Sequence, residues 1–176
     1  WSITHELTSR NYHDEAITVW NELQISYPAH PIADKSALRI AQTWQQMGQP
    51  LRAVEAFLEL NFARGGNDTE LQNAIYQIAV SLKNEKRWIE SLHVLQTFVD
   101  SFPSHANAGQ SLTMIGQIHQ ANEVWEDAIA AYRKVLAIRP NLAGALLGLG
   151  HSLKTVGQQE EAIKAYRECI RVRPSN

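Results

Sequence analysis

A chain of 176 residues that is 44% hydrophobic and 19% charged can bury one continuous core and is not of the disordered class. Its formal net charge of −2 lacks the basic excess that draws proteins to nucleic acid or to anionic membranes. The single cysteine, Cys169, excludes an intrachain disulfide, and no stretch approaches the ~18 apolar residues of a membrane span.

The chain opens on Trp1-Ser2-Ile3-Thr4-His5, with neither a start methionine nor a signal-peptide pattern, and so reads as an excised piece of a longer protein. Along it, periodicity predicts ten helices in five pairs. First helices run about 1–10, 34–47, 70–84, 107–121 and 142–155; second helices run about 12–27, 50–63, 86–101, 123–138 and 158–172. The repeats they form are about 1–30, 34–67, 70–105, 107–140 and 142–176. There is no strand candidate, since the apolar run from Ala143 to Leu149 keeps helical register through its two glycines. Start signals agree with this division. Asp34, Asn107 and Asn141 sit where caps are expected, and Pro50 suits a first helical turn. His13-Asp14-Glu15 reads as a helix start, and Gly65-Gly66 followed by Asn67-Asp68-Thr69 as a turn and cap.

The pairing rests on an internal repeat. Gly116 and Gly150, Ala128 and Ala162, Tyr132 and Tyr166, Pro140 and Pro174 each stand 34 residues apart. Carried backwards, a small-residue track runs Ala16, Ala53, Ser91, Ala128, Ala162, and a large residue follows four later at Trp20, Phe57, Leu95, Tyr132 and Tyr166. A loop track completes the frame at Pro28, Gly65, Pro103, Pro140 and Pro174. All three tracks share the spacings 37, 38, 37 and 34, so the extra residues fall in loops. A small residue lets two helices approach, and a large one a turn later shares its face. Proline ends the second helix. Gly48, Gly150 and Gly157 are assigned to tight turns or close contacts.

These residues resemble the tetratricopeptide repeat family over essentially the whole chain. Repeats four and five carry most of its pattern, in Ile115-Gly116, Ala128, Tyr132, Pro140 and in Leu149-Gly150, Ala162, Tyr166, Pro174. Repeats two and three depart from it with Ala41, Ala79 and Ser91. The resemblance implies an all-α, right-handed α-solenoid of about five helix–turn–helix repeats that binds a protein or peptide. The loops Ser26-Tyr27-Pro28-Ala29-His30-Pro31 and Ser101-Phe102-Pro103-Ser104-His105 are similar to those of bacterial cell-envelope repeat proteins. The run Leu149–Gly157 with Ala165-Tyr166-Arg167 is similar to repeat arrays preceding bacterial sulfotransferase domains. Those likenesses imply two alternatives, a non-catalytic arm of a larger enzyme or a self-assembling envelope element, and leave the compartment open between cytoplasm and periplasm.

In the family, first helices line a concave groove. Carried over, the inward positions are Lys35, Leu38, Arg39, Gln42 and Gln45, then Asn73, Tyr76, Gln77, Val80 and Lys83. Gln110, Thr113, Met114 and Gln117 follow, with Leu147, His151 and Lys154 in the last repeat. Four cations, Lys35, Arg39, Lys83 and Lys154, fall on these first helices, and no carboxylate is expected beside them. Acids gather on second helices, as at Glu55, Glu59, Glu126, Asp127 and Glu161. An amide-rich, mildly cationic groove suits a peptide with acidic residues. A family subtype clamps a terminal carboxylate with Lys, Asn and Arg, but the matching positions here read Leu38, Gln42, Gln77, Gln110 and Met114. That clamp is absent.

No catalytic, metal or cofactor motif emerges, and no enzyme activity is expected. The seven histidines, His5, His13, His30, His93, His105, His119 and His151, form no HExxH pattern and no i, i+4 pair. His119 takes a position the family gives to Tyr, which implies packing, and His151 falls on the groove face. Cys169 is assigned to an inward face as an inert thiol, and Trp20, Trp88 and Trp125 to packing. The exposed face of the last helix, with Ile163 and Ile170, is a candidate for end-to-end association.

Overall fold

The computed structural model describes residues 12–172, all nine of whose regular elements are helices, with no strand among the described residues. They are α1 (His13–Ser26), α2 (Pro31–Gln46), α3 (Pro50–Ala63), α4 (Thr69–Asn84), α5 (Trp88–Ser101), α6 (Ala108–Ala121), α7 (Trp125–Ile138), α8 (Ala143–Thr155) and α9 (Gln159–Val172). Four helix pairs thus follow one helix, α1, in an all-α helical-repeat fold of the solenoid class. The helix predicted at 1–10, with Trp1 and His5, lies outside the described residues, as does Pro174. The chain divides into two compact units, one ending at Ile78 and the other starting at Ala79, with α4 shared between them.

The small and large tracks are the spine of each unit. Ala16, Ala53, Ser91, Ala128 and Ala162 are all buried, and so are Trp20, Phe57, Leu95 and Tyr132, while Tyr166 is half-buried. In unit 1, Ala16, Ile17, Trp20 and Ile40 form a core on which Leu23, Trp44 and Met47 pack. In unit 2, Val94, Leu95, Phe98, Ile118, Tyr132, Val135 and Leu153 are almost wholly enclosed. Serine at an alanine position is tolerated because the Ser91 hydroxyl donates to the Ala79 carbonyl oxygen at 2.9 Å.

Glycine is required where tyrosine follows. A Cβ on Gly116 would lie 2.7 Å from the Tyr132 ring, and one on Gly150 would lie 2.6 Å from that of Tyr166. Where the equivalent large residue is Phe57 or Leu95, the glycine position holds Ala41 or Ala79 instead. Tyr132 is also fixed at its far end: its hydroxyl donates to Gln120 Oε1 at 2.7 Å. Gln120 Nε2 in turn donates to the Gly148 carbonyl at 2.9 Å and to Ser152 Oγ at 2.8 Å, tying α6 to α8. Burial pushes the Tyr132 hydroxyl up to about 12.

The turns inside the pairs share one geometry. Gly48, Lys86, Glu123 and Gly157 all have left-handed φ, at 69°, 61°, 60° and 82°. The following amide reaches back to a carbonyl five residues earlier, as from Gln49 to Trp44, Arg87 to Leu82, Val124 to His119 and Gln158 to Leu153. This closes each first helix by a Schellman turn. Glycine is natural there, and Lys86 and Glu123 hold the same turn against a backbone penalty.

Helix starts differ from expectation. Asp34 lies in the first turn of α2, whose cap is His30: its Nδ1 accepts from the Ile32 amide at 3.1 Å, ahead of Pro31. Asn107 is the N-cap of α6 but makes no side-chain cap bond, and His105 Nδ1 accepts the Asn107 amide at 3.1 Å. Leu142, not Asn141, precedes α8. As expected, Pro50 begins α3, and Asp68 Oδ1 accepts the Glu70 and Leu71 amides at the start of α4.

Gly116→Ala should lower stability by about 1–3 kcal/mol in urea unfolding, because the enclosed Tyr132 ring has nowhere to retreat. Lys86→Gly should raise it by about 0.5–1 kcal/mol in the same assay by relieving left-handed strain. Tyr132→Phe should cost about 1 kcal/mol at neutral pH. Tyrosine ionises near 10 when unfolded and near 12 here, so its share of stability is intact below pH 10 and lost as pH climbs toward 12. The phenylalanine variant should therefore show a shallower alkaline decline in unfolding free energy.

Candidate functional site

The faces of the first helices carry the candidate binding residues, and each unit presents its own set. In unit 1, Lys35, Arg39 and Gln45 on α2 and Gln77 on α4 are exposed. Leu38, Gln42, Asn73 and Tyr76 are half-buried beside them, and burial raises the Tyr76 hydroxyl above its ordinary value. Arg39 Nη1 donates to Gln42 Oε1 at 3.2 Å, so these two predicted residues meet. The first turns of α2 and α4 contain Asp34 and Glu70. The expectation that no carboxylate lies on the first helices therefore fails in unit 1, where Asp34 and Glu70 fall within the helices predicted at 34–47 and 70–84.

In unit 2 the expectation holds for α6 and α8, neither of which contains an acidic residue. Gln110, Gln117, His151 and Lys154 are exposed. Lys83, at the end of α4, reaches across to α6 and donates from Nζ to Gln117 Oε1 at 2.6 Å. Thr113 is a correction: it is 9% exposed, and its hydroxyl donates to the Gly109 carbonyl, so it belongs to the packing of α6. Met114 is buried as well, at 7%.

Between α6 and α8 lies a cleft of about 420 Å³. Gln117 and Gln120 form one wall, and Gly144, Leu147, Gly148 and His151 the other. Tyr132 and Tyr166 line it from the second helices. Gly148 is what lets Tyr132 come so close, since a Cβ there would collide with its ring; a Cβ on Gly144 would meet only open space. The His151 ring stands edge-on to Trp125 with centroids 6.0 Å apart. Of the groove positions predicted from sequence, Gln117, Leu147 and His151 line this cleft. Gln120 and the two glycines were not singled out as binding residues, and their signal is three-dimensional.

A second cleft of about 500 Å³ lies on the turn side, between the α4–α5 and α6–α7 connections. Trp88, exposed Ile89 and Val124 line it with His119, which is half-buried rather than enclosed. Cys169 is half-buried, with its thiol 3.4 Å from the Ala143 carbonyl oxygen. Among the described residues, no three His, Cys, Asp or Glu side chains gather as a metal site would require, and no helix is long and apolar enough to cross a membrane.

Residues 111–144 and 143–176 match two family models, each described as a tetratricopeptide repeat. No curated protein matches the chain. Solved structures similar to it include MamA, from residue 41 to its end, of Desulfovibrio magneticus RS-1, at 18% identity and TM-score 0.53, covering 99% of this chain and 94% of that one. A Podosopora anserina putative kinesin light chain with nearly identical TPR-like repeats is similar at 16% identity and TM-score 0.51, covering 99% and 95%. YrrB, described as a TPR protein with an unusual peptide-binding site, is similar at 16% identity and TM-score 0.53, covering 99% and 85%. At such identities the likeness speaks to fold. Residues 111–176 thus match tetratricopeptide repeats, and an all-helical array that keeps the same small–large register back to Ala16 supports the tetratricopeptide repeat family for this chain.

Proposed function

We propose that this array holds an extended peptide segment of a partner protein on the faces of its first helices, with the α6–α8 face of unit 2 as the principal seat. The tetratricopeptide fold is a protein-interaction scaffold rather than a catalytic one, which sets the class of function. The observation that carries the finer reading is a unit 2 groove face that holds lysines and amides but no carboxylate on α6 or α8. Carboxylates elsewhere pair with Arg64, Arg87, Arg133 and Arg171. On the unit 2 groove face, Lys83 meets only a neutral amide, and Lys154 makes no ion pair among the described residues.

Charge left uncompensated on one face favours an acidic ligand. Each exposed ion pair is worth only about 0–1 kcal/mol, so affinity must come mainly from apolar surface such as Leu147. Gln110, Gln117 and His151 supply donors and acceptors that serve a peptide backbone without demanding one sequence. Lys35, Arg39, Gln42, Gln45, Asn73, Tyr76 and Gln77 offer unit 1 a face of similar composition. The reading is supported by the likeness to YrrB, described as a TPR protein with an unusual peptide-binding site.

A second reading, self-association through α9, is motivated by Ile163 and Ile170, which are 48% and 69% exposed. Sedimentation velocity over a range of concentrations tests it, and a strict monomer throughout would exclude it.

For the peptide reading, a random peptide library displayed on phage is selected against the wild-type chain. Enriched peptides should be acidic and bind more weakly as salt rises. Lys83→Glu with Lys154→Glu should weaken them by about tenfold, as read by fluorescence anisotropy, with helical content unchanged. Lys35→Glu with Arg39→Glu tests the unit 1 face in the same way. Unchanged affinity in both double variants would end the proposal.

A further inference from the structure

The α6–α8 cleft has a chemistry more specific than its charge. The polar atoms at its base are already engaged with one another, while exposed Gln117 and His151 stand on its walls. The Tyr132 hydroxyl donates to Gln120 Oε1, and Gln120 Nε2 directs its two hydrogens to the Gly148 carbonyl and Ser152 Oγ. The Ser152 hydroxyl, 3.0 Å from the same carbonyl, is satisfied within the helix. A polar side chain entering here would give up its water without finding a free donor at the base of the cleft. An apolar one would gain by covering the tyrosine ring and the exposed Leu147.

The two glycines of α8 divide the work of shaping this space. Gly148 admits the Tyr132 ring, whereas nothing among the described residues approaches within 4 Å of a Cβ built on Gly144. Glycine is a poor helix residue, and packing does not require it at Gly144. Its effect is to leave the mouth of the cleft open. Lys83, bonded to Gln117 on the opposite wall, sets a positive charge beside that mouth.

We propose that this cleft is an anchor pocket for one apolar side chain of an acidic peptide, and that Gly144 is the residue that keeps it open to that side chain. The inference rests on the peptide-binding reading and specifies what that site selects. The occupant is a peptide in which a leucine-like or aromatic residue has carboxylates among its near neighbours: the apolar group seats against Tyr132, and a carboxylate meets Lys83.

The test uses the peptides enriched from the phage library, synthesised with a fluorescent label, and the whole chain in wild-type, Gly144→Ala and Gly144→Leu forms. The leucine side chain should fill the cleft and lower affinity about tenfold or more, whereas alanine should change it by less than about threefold. The thermal unfolding midpoint of Gly144→Ala should equal or exceed that of wild type, since a Cβ at residue 144 meets no described neighbour and alanine improves helix propensity, and circular dichroism should show Gly144→Leu folded. Replacing the apolar residue of the peptide by serine should cost a similar factor in wild type and little in Gly144→Leu. Equal binding by wild type and Gly144→Leu, or indifference to the serine replacement, overturns the anchor pocket. The groove reading survives that result if Lys83→Glu with Lys154→Glu still weakens the same peptides. Failure of any peptide to enrich, or full binding by all these variants, overturns both.

Discussion

Close approach between the two helices of each pair is the constraint on which the rest of the molecule depends. A helix of about 14 residues is marginal by itself in water and holds its shape only when its apolar stripe is covered. Here the covering works because a buried residue no larger than serine stands beneath a large side chain one turn on, from Ala16 and Trp20 to Ala128 and Tyr132. The glycines answer the tyrosines in the same language of size. Where the ring carries a hydroxyl, at Tyr132 and Tyr166, the facing residue has no Cβ; where it is Phe57 or Leu95, alanine suffices. Packing in each pair is therefore set by matched volumes, and the loops are free to vary in length.

The tight packing also determines where the molecule can meet other chains. Second helices give their ring-bearing faces to the interior and their outer faces to carboxylates and the arginines that pair with them. First helices retain amides and lysines on a face that internal ion pairs do not neutralise in unit 2. The Gln120 network sits at the junction of these two roles. It is structural in tying α6 to α8, yet by absorbing the polar capacity of the cleft it leaves that surface apolar. In the proposed binding site, one amide would thus serve both stability and recognition.

Much of this architecture can be read from residues alone, because the periodic tracks survive loop insertions. Their registers placed second helices to within a residue or two, and every small-track residue is indeed buried. Helix starts were harder. Asp34, Asn107 and Asn141 are usual capping residues, but His30 and Leu142 occupy two of those places, and a histidine acceptor just before a helix leaves no distinctive pattern in sequence. Thr113 fell on the predicted groove face by helical phase, yet its hydroxyl turns back to Gly109. Gln120 was invisible for the opposite reason. A glutamine near a helix end resembles any solvated polar residue until Tyr132, Gly148 and Ser152, from two other helices, converge on it. The distinction between Gly144 and Gly148 likewise exists only once the tyrosine ring is in place.

The histidine-capped loops carry a longer rhythm than the single repeat. Ser-Tyr-Pro-Ala-His at 26–30 and Ser-Phe-Pro-Ser-His at 101–105 use the same imidazole nitrogen to receive a following amide. The connection between them instead uses Asp68, and the one after them has no side-chain cap at Leu142. The first and third joints are therefore built alike, whereas the second and fourth differ from them and from each other. The loops at 26–30 and 101–105 are thus two copies of one joint, and exchanging them keeps the imidazole acceptor in place, while the Asp68 joint supplies a carboxylate instead.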